Sequence, residues 1–250
     1  MSVVKKHYDA VGTATKKARA SGELFELKKF HNNVKRALLK EYASHAERLL
    51  DLACGRGGDL QKWHDCSVEF VKGVDVSPKE IQEARARYAH LKTGMVCSFE
   101  VVDLLQNTFR QAPCYDVVTA MFCIHYFCES KHTLEKFMEL VASCLRPGGY
   151  FVGCCLDGSL VKTFPGSEYV TIEFLENNQI LFALRDTVTS ATVESQGSVE
   201  YLVDVNDLCN VAAHVGLECV KLTPFDPPNE YPGHDISRLF VSFVFRLKGR

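Results

Sequence analysis

The residues most able to do chemistry in this 250-residue chain cluster at the ends of its apolar runs. Residues 50–60 read LDLACGRGGDL, an apolar run passing into a glycine-rich turn. Such a turn lets a ligand lie against the backbone, and the helix that follows offers unpaired N–H groups and a positive dipole end. Dinucleotide-binding proteins use a related loop, so the loop alone leaves the ligand open. The pattern here is not GxGxxG: Ala53 takes the first glycine position and Arg56 follows Gly55. The next run ends in GVDVS, placing Asp75 at a strand tip beside the loop, where a carboxylate can accept from ribose hydroxyls. The third ends in VVDL, placing Asp103 at the adjacent tip, where a carboxylate can accept from an adenine amino group. Either acid alone also reads as a turn or cap residue. Loop, first acid and second acid at successive strand ends fit an adenosyl ligand lacking a pyrophosphate.

The elements that must position these groups follow from periodicity. Residues 24–42 carry Leu24, Leu27, Phe30, Val34, Leu38 and Leu39 at helical spacing, an amphipathic helix. Strands are expected over 48–54, 68–76, 95–104, 115–123 and 150–156. Helices follow the glycines and span 78–91 and 131–146, the last stopped by Pro147, Gly148 and Gly149. This alternation implies βαβ units and a parallel sheet with right-handed crossovers. Beyond residue 156 the pattern turns strand-rich near 168–173, 179–186 and 190–202. A helix over 204–216 and strands over 220–225 and 238–247 close the chain, the last alternating like an antiparallel partner. The expected fold class is α/β, a Rossmann-like mixed seven-stranded sheet. Its parts are an N-terminal helical extension (1–45), a cofactor half (46–156), a β insertion (157–203) and a C-terminal helix with strands (204–250).

Composition excludes several classes. Hydrophobic residues make 46% and charged residues 24%, as in a soluble globular protein large enough to bury a core. The eleven cysteines include no CxxC pair and sit mostly in apolar runs, so they read as buried thiols, with no metal site expected. No apolar leader or membrane-length run is present. A net charge of −2 does not suggest a protein that coats nucleic acid. The first forty residues nevertheless carry ten basic side chains (Lys5, Lys6, Lys16, Lys17, Arg19, Lys28, Lys29, Lys35, Arg36, Lys40) against three acidic ones, a balance of +7. That patch could face phosphates or be a solvated helix face.

Four stretches resemble the mRNA cap guanine-N7 methyltransferases, a family of class I S-adenosylmethionine-dependent methyltransferases. They are LDLACGRGGDLQKW (50–63), MFCIHYFCES (121–130), HYDA (7–10) with FHNNVK (30–35), and EYLV (200–203). The resemblance implies that Lys35 meets the methionine carboxylate of S-adenosyl-L-methionine and Asp59 its amino group. Asp75 would take the ribose and Asp103 the adenine, with Ala53 and Gly55 forming the turn beneath. Phe122, His125 and Tyr126 would line the cap pocket, with Phe122 and Tyr126 also touching the cofactor and with His125 and Tyr126 the residues closest to catalysis. Arg56 stands where the family has a lysine on the cap phosphates, Glu200 would pair with the guanine edge, and Asn32 would make a polar contact. Three positions depart: His31 for Asn, Met121 for Gln, and Phe240 for Tyr, which keeps a stacking face but loses a hydroxyl.

The chemistry implied is methyl transfer to N7 of the cap guanosine, leaving S-adenosyl-L-homocysteine. Guanine N7 carries a lone pair at neutral pH, so no general base is required, and alignment alone can contribute on the order of 7–11 kcal/mol. An acid such as Glu200 favours the positive charge left on the purine, and each aromatic face attracts a cation by roughly 0.5–2 kcal/mol. Plainer readings stand beside these: His125 and Tyr126 as a core pair, Phe122 as core, Trp63 as helix packing. A small-metabolite methyltransferase and a catalytically silent binding subunit are the alternatives. The expected partners are a capped RNA 5′ end and the capping guanylyltransferase and triphosphatase, with no membrane. A monomer is expected, nuclear in a eukaryote and cytoplasmic if encoded by a cytoplasmic virus.

Overall fold

A computed structural model describes residues 22–106, 109–185 and 197–249. Seven strands form one sheet in the order β3-β2-β1-β4-β5-β10-β9. Its centre is β1 (Arg48–Leu52), paired in parallel with β2 (Phe70–Asp75) on one side and β4 (Tyr115–Met121) on the other. β3 (Val96–Val101) pairs in parallel with β2, and β5 (Leu145–Leu156) with β4. β10 (Phe240–Leu247) runs antiparallel to β5 and to β9 (Leu217–Pro224), as the alternation of its residues predicts. The chain order therefore reverses between β1 and β4, the kind of switch point at which α/β sheets bind ligands.

Burial explains the sequence of each strand. β4 is buried through its first six residues, because helices cover both faces of a parallel sheet. On one face pack α1 (Phe25–Tyr42), α2 (Leu60–Asp65) and α3 (Pro78–His90), with Leu27, Leu39 and Trp63 in the core. On the other pack α4 (Lys131–Cys144) and α6 (Val205–His214), with Phe137, Met138, Phe151, Phe243 and Phe245. Each large apolar side chain so buried contributes about 1.5–3 kcal/mol. Local chemistry sets the helix starts. Pro78 opens α3 behind its cap Ser77, and Ser130 with Thr133 forms a reciprocal capping box on α4.

Several expected boundaries move. α4 stops at Cys144, because Leu145 turns extended and already pairs with Tyr115. The Pro147–Gly149 segment is then absorbed within β5 as a register slip, with Gly148 at φ 81°. The strand expected over 95–104 ends at Val101, and Leu104–Gln106 makes a single 3₁₀ turn. β9 begins at Leu217, earlier than its β-branched residues suggested, because Gly216 at φ 83° ends α6 immediately before it. A short α5 (Gly158–Thr163), unexpected from periodicity, is capped by Asp157, whose side chain accepts from Ser159 N–H. The insertion forms its own antiparallel sheet of β6 (Val170–Phe174), β7 (Gln179–Leu184) and β8 (Ser198–Tyr201). α7 (His234–Ser237) precedes β10.

β5 lies between β4 and β10, and a Cβ added at Gly153 would overlap both Phe243 Cζ and Ala120 O. Gly153→Ala is expected to destabilise the fold by about 1–3 kcal/mol or more, since the backbone on one side cannot yield. Thermal melting of the variant checks this; an unchanged midpoint would refute the tight approach of β10 to β5.

Candidate functional site

The turn after β1 is built from residues in the left-handed region: Ala53 at φ 58°, Gly55 at 51° and Gly57 at 69°. Ala53 is a non-glycine in a conformation that side chains resist, the kind of strain found where a backbone is shaped for a ligand. Asp75, at the tip of β2, ties this turn down. Its Oδ2 accepts from Gly55 N–H at 2.8 Å and its Oδ1 from Ser77 N–H at 2.9 Å. Burial pushes the Asp75 carboxyl up, and those backbone donors pull against the shift.

Beside this turn opens a cavity of about 270 Å³. Its polar wall holds Asp75, Glu80 and Asp103, and its apolar wall includes Val76, Val102, Leu104, Leu105 and Met121. Phe122 and Tyr126 close the far side, with Phe122 itself at φ 59°. Asp103 accepts from Leu105 N–H at 3.1 Å, fixing its carboxyl at the cavity edge. A cavity with mostly apolar walls and acids at its rim suits an adenosine. Ala53, Gly55, Asp75, Asp103, Phe122 and Tyr126 are brought to this one cavity, while Lys35 and Asp59, expected on the same cofactor, do not line it.

Asp59 lies on the other side of the turn. It begins α2 without capping it, and two lysines grip it instead. Lys35 Nζ donates to Oδ2 at 2.9 Å and stands 2.7 Å from Oδ1. Lys62 Nζ donates to Oδ1 at 2.7 Å. Burial raises the Asp59 carboxyl, but the two ammonium groups outweigh it, and the net shift is downward. Burial lowers the Lys62 amine, against the pull of Asp59. Asn32 supports this cluster from an exposed position: its Oδ1 accepts from Lys62 at 2.9 Å and its Nδ2 donates to Lys28 O. Beneath them Asp51 is buried in β1, bonded by the Thr119 hydroxyl at 2.5 Å.

Around Phe122 gathers an aromatic cluster. His31 stacks on Phe122 with centroids 5.5 Å apart and planes 19° apart, and meets Phe225 and Phe240 edge-on at 5.2 and 4.7 Å. Its Nε2 lies 3.1 Å from Ser237 Oγ, which lies 3.1 Å from the Tyr231 hydroxyl. Burial, with Lys35 nearby, lowers the imidazole to about 3, so His31 is neutral. Phe240, expected to stack on a base, is 9% exposed and is packed within this cluster. On the 3₁₀ turn after β4 (Ile124–Phe127), His125 is buried edge-on to Tyr126 at 4.0 Å. Its Nδ1 lies 3.6 Å from Glu200 Oε2, while its buried Nε2 has no partner among the described residues. Ser198 Oγ bonds the other Glu200 oxygen at 2.5 Å, so the insertion brings an acid against the 3₁₀ turn.

Arg56, which the resemblance implies on the cap phosphates, is bonded twice through its guanidinium to Glu80, a residue that lines the cavity. HYDA and the basic residues Lys5, Lys6, Lys16, Lys17 and Arg19 lie outside the described residues. Of the other basic residues in that stretch, Lys29 pairs with Glu26, Lys35 with Asp59 and Arg36 with Asp65. Sequence reasoning missed Lys62, Glu80, Asp51 and Phe225. Two carried a local signal: Lys62 stands three residues after Asp59 on a helix, and Glu80 occupies the third position after a serine cap. No group of metal-ligating side chains large enough to hold an ion occurs among the described residues.

Residues 1–231 match the mRNA (guanine-N(7))-methyltransferase domain family. The chain is 29% identical over 243 residues to the mRNA cap guanine-N(7) methyltransferase of Cryptococcus neoformans var. neoformans serotype D, covering 90% of this chain and 35% of that protein. It is 27% identical to the Schizosaccharomyces pombe enzyme of the same name, covering 89% of this chain and 68% of that one. The chain therefore spans about a third to two thirds of these relatives. A crystal structure of an S-adenosylmethionine-dependent methyltransferase from Clostridium acetobutylicum shares the fold, with a TM-score of 0.63 at 15% identity over 89% of this chain and 92% of that one.

Burial and the neighbouring Asp59 push Asp51 up to about 7, against the opposing pull of the Thr119 hydroxyl and Lys35, from an ordinary value of 3.8. The folded protein then holds a proton that the unfolded chain has released. This contribution to stability is present at low pH and is lost as pH rises through that window. Asp51→Asn is expected to flatten the fall in melting temperature between pH 4 and pH 7; an unaltered pH profile would show that Asp51 does not carry it.

Proposed function

The chain belongs to the mRNA (guanine-N(7))-methyltransferase family, and we propose that it transfers a methyl group from S-adenosyl-L-methionine to N7 of the cap guanosine of an RNA 5′ end. The observation that carries this reading is the position of Tyr126. It walls the adenosine-sized cavity on one side and packs against His125, the neighbour of Glu200, on the other.

Each residue has a distinct role. Asp75 and Asp103 take the ribose and adenine at the carboxyl ends of β2 and β3. Lys35 and Asp59, held as an ion pair, present the cation and anion that a zwitterionic head group requires. When bound, the cofactor supplies an activated methyl on a sulfonium, so no residue need act as a nucleophile. Phe122 contributes an aromatic face near the sulfonium end, where cation attraction adds roughly 0.5–2 kcal/mol. Glu200 and His125 face the guanine edge. Glu200 places negative charge where the purine becomes positive, and interactions that grow along the reaction coordinate lower the barrier. Orientation is the main contribution, since N7 needs no deprotonation. Asn32 acts through Lys62, and Phe240 through the cluster that braces Phe122.

Capped RNA is accordingly the proposed partner, alongside the guanylyltransferase and triphosphatase that make the cap, in the nucleus of a eukaryotic cell. No helix among the described residues is long and apolar enough to cross a membrane.

Labelled cofactor offered to GpppA-capped RNA tests the proposal. The expected product carries the label at guanine N7, and no transfer to capped RNA would overturn the acceptor assignment. Asp75→Ala should weaken cofactor binding by about tenfold or more, since a buried charged acceptor is lost. Glu200→Gln should raise the Michaelis constant for capped RNA with cofactor affinity unaltered. Tyr126→Ala should lower turnover more than melting temperature; an unfolded variant with normal residual activity would make Tyr126 a core residue only.

A further inference from the structure

Arg56 stands between two left-handed glycines, Gly55 and Gly57, and its fork closes on one carboxylate. Nε donates to Glu80 Oε2 at 2.8 Å and Nη2 to Oε1 at 2.6 Å. The Glu80 side chain is 6% exposed and lines the same cavity as Asp75. We propose that Arg56 is a positioning residue for the cofactor, holding Glu80 at the ribose end of the cavity as a second acceptor beside Asp75.

The local bonding explains how Glu80 comes to be there. It is the third residue after the cap Ser77, and its N–H donates to Ser77 Oγ at 3.2 Å. In a full capping box its carboxylate would return to Ser77 N–H. That donor is already taken by Asp75 Oδ1 at 2.9 Å. The Glu80 carboxylate is thereby released from the helix end and turns to the glycine turn, where Arg56 meets it. The two acids hold different parts of the cavity wall. Asp75 fastens the turn through Gly55 N–H, and Arg56 fastens Glu80 across it.

The bridge uses two of the five N–H donors of the guanidinium, and breaking it would abandon a buried carboxylate without its cation, which is strongly unfavourable. A lysine could not replace the bridge, because a single ammonium lacks the planar fork that grips both oxygens. The pairing of an arginine on the turn with a glutamate on α3 is thus one device made of two residues.

The inference rests on the reading that the cavity takes an adenosyl cofactor. The test uses calorimetric titration of the full chain, without RNA, with S-adenosylhomocysteine and with its analogue lacking both ribose hydroxyls. Arg56→Ala and Glu80→Gln should each weaken S-adenosylhomocysteine by about tenfold, with Arg56→Lys between them and wild type. The double variant should lose no more than either single one, because both break the same bridge. The preference for the hydroxyl-bearing ligand should shrink in the variants by the same factor, a ratio that general loosening of the fold would leave alone. The Michaelis constant for capped RNA should keep its salt dependence. Unchanged affinity and preference in Arg56→Ala, or a higher capped-RNA constant with a shallower salt slope, overturns the proposal. Wild-type protein that binds no S-adenosylhomocysteine overturns the cofactor reading with it.

Discussion

The site depends on one hydrogen-bonded constraint, the grip of the Asp75 carboxylate on the backbone N–H of Gly55. β1 must turn sharply to enter α2, and it does so through left-handed residues that would be unstable alone. Asp75 comes from the neighbouring strand, so the parallel pairing of β1 with β2 is what delivers the acceptor to the turn. The same pairing sets the cavity beside the turn and leaves Asp59 open to both Lys35 and Lys62. A change that slid β2 by one residue would remove both the turn and the pocket.

The second half of the site is assembled from elements far apart in the chain. His31 comes from α1, Phe122 from the end of β4, Phe225 from the residue after β9 and Phe240 from β10. They pack as stacked and edge-to-face rings, an arrangement aromatic quadrupoles favour. His31 stands where the family resemblance implies asparagine, and it remains neutral because burial penalises its charged form. Its imidazole therefore behaves as a fourth ring with one hydrogen bond to Ser237, stiffening Phe122 where the two proposed ligands meet. The insertion sheet adds Glu200 from a third direction, so the proposed cap pocket is complete only with α1, the main sheet and the insertion in place together.

Charge is handled by pairing. Asp59 carries two lysines, Glu80 carries Arg56, and Glu200 stands against His125. Asp51, buried at the centre of the sheet with no cation bonded to it among the described residues, has its carboxyl pushed up by burial and by the neighbouring Asp59, and the Thr119 hydroxyl only partly opposes that rise. The basic character of the first forty residues is partly consumed in the same way. Lys35 serves the site, while Lys29 and Arg36 pair locally on the surface.

The strand–turn–helix order, the glycine turn and the acids at Asp75 and Asp103 were legible in the sequence, because period and glycine placement are local properties of the chain. So was the antiparallel pairing of the last strand, although the strand is buried on both faces from Phe240 to Phe245. The stop of α4 was not, since Leu145 leaves the helix to pair with Tyr115, a contact thirty residues away. Partnership was equally invisible. Nothing in the spacing says that Arg56 turns to Glu80 when Asp75 has already taken the N–H that Glu80 would seek. Nor does it say that Asn32 reaches Lys62, or that Phe240 is enclosed by His31, Phe122 and Phe225. Residue type and period decide which groups arrive at a strand tip; which of two nearby charges each one meets is a competition in three dimensions, and only the tertiary structure resolves it.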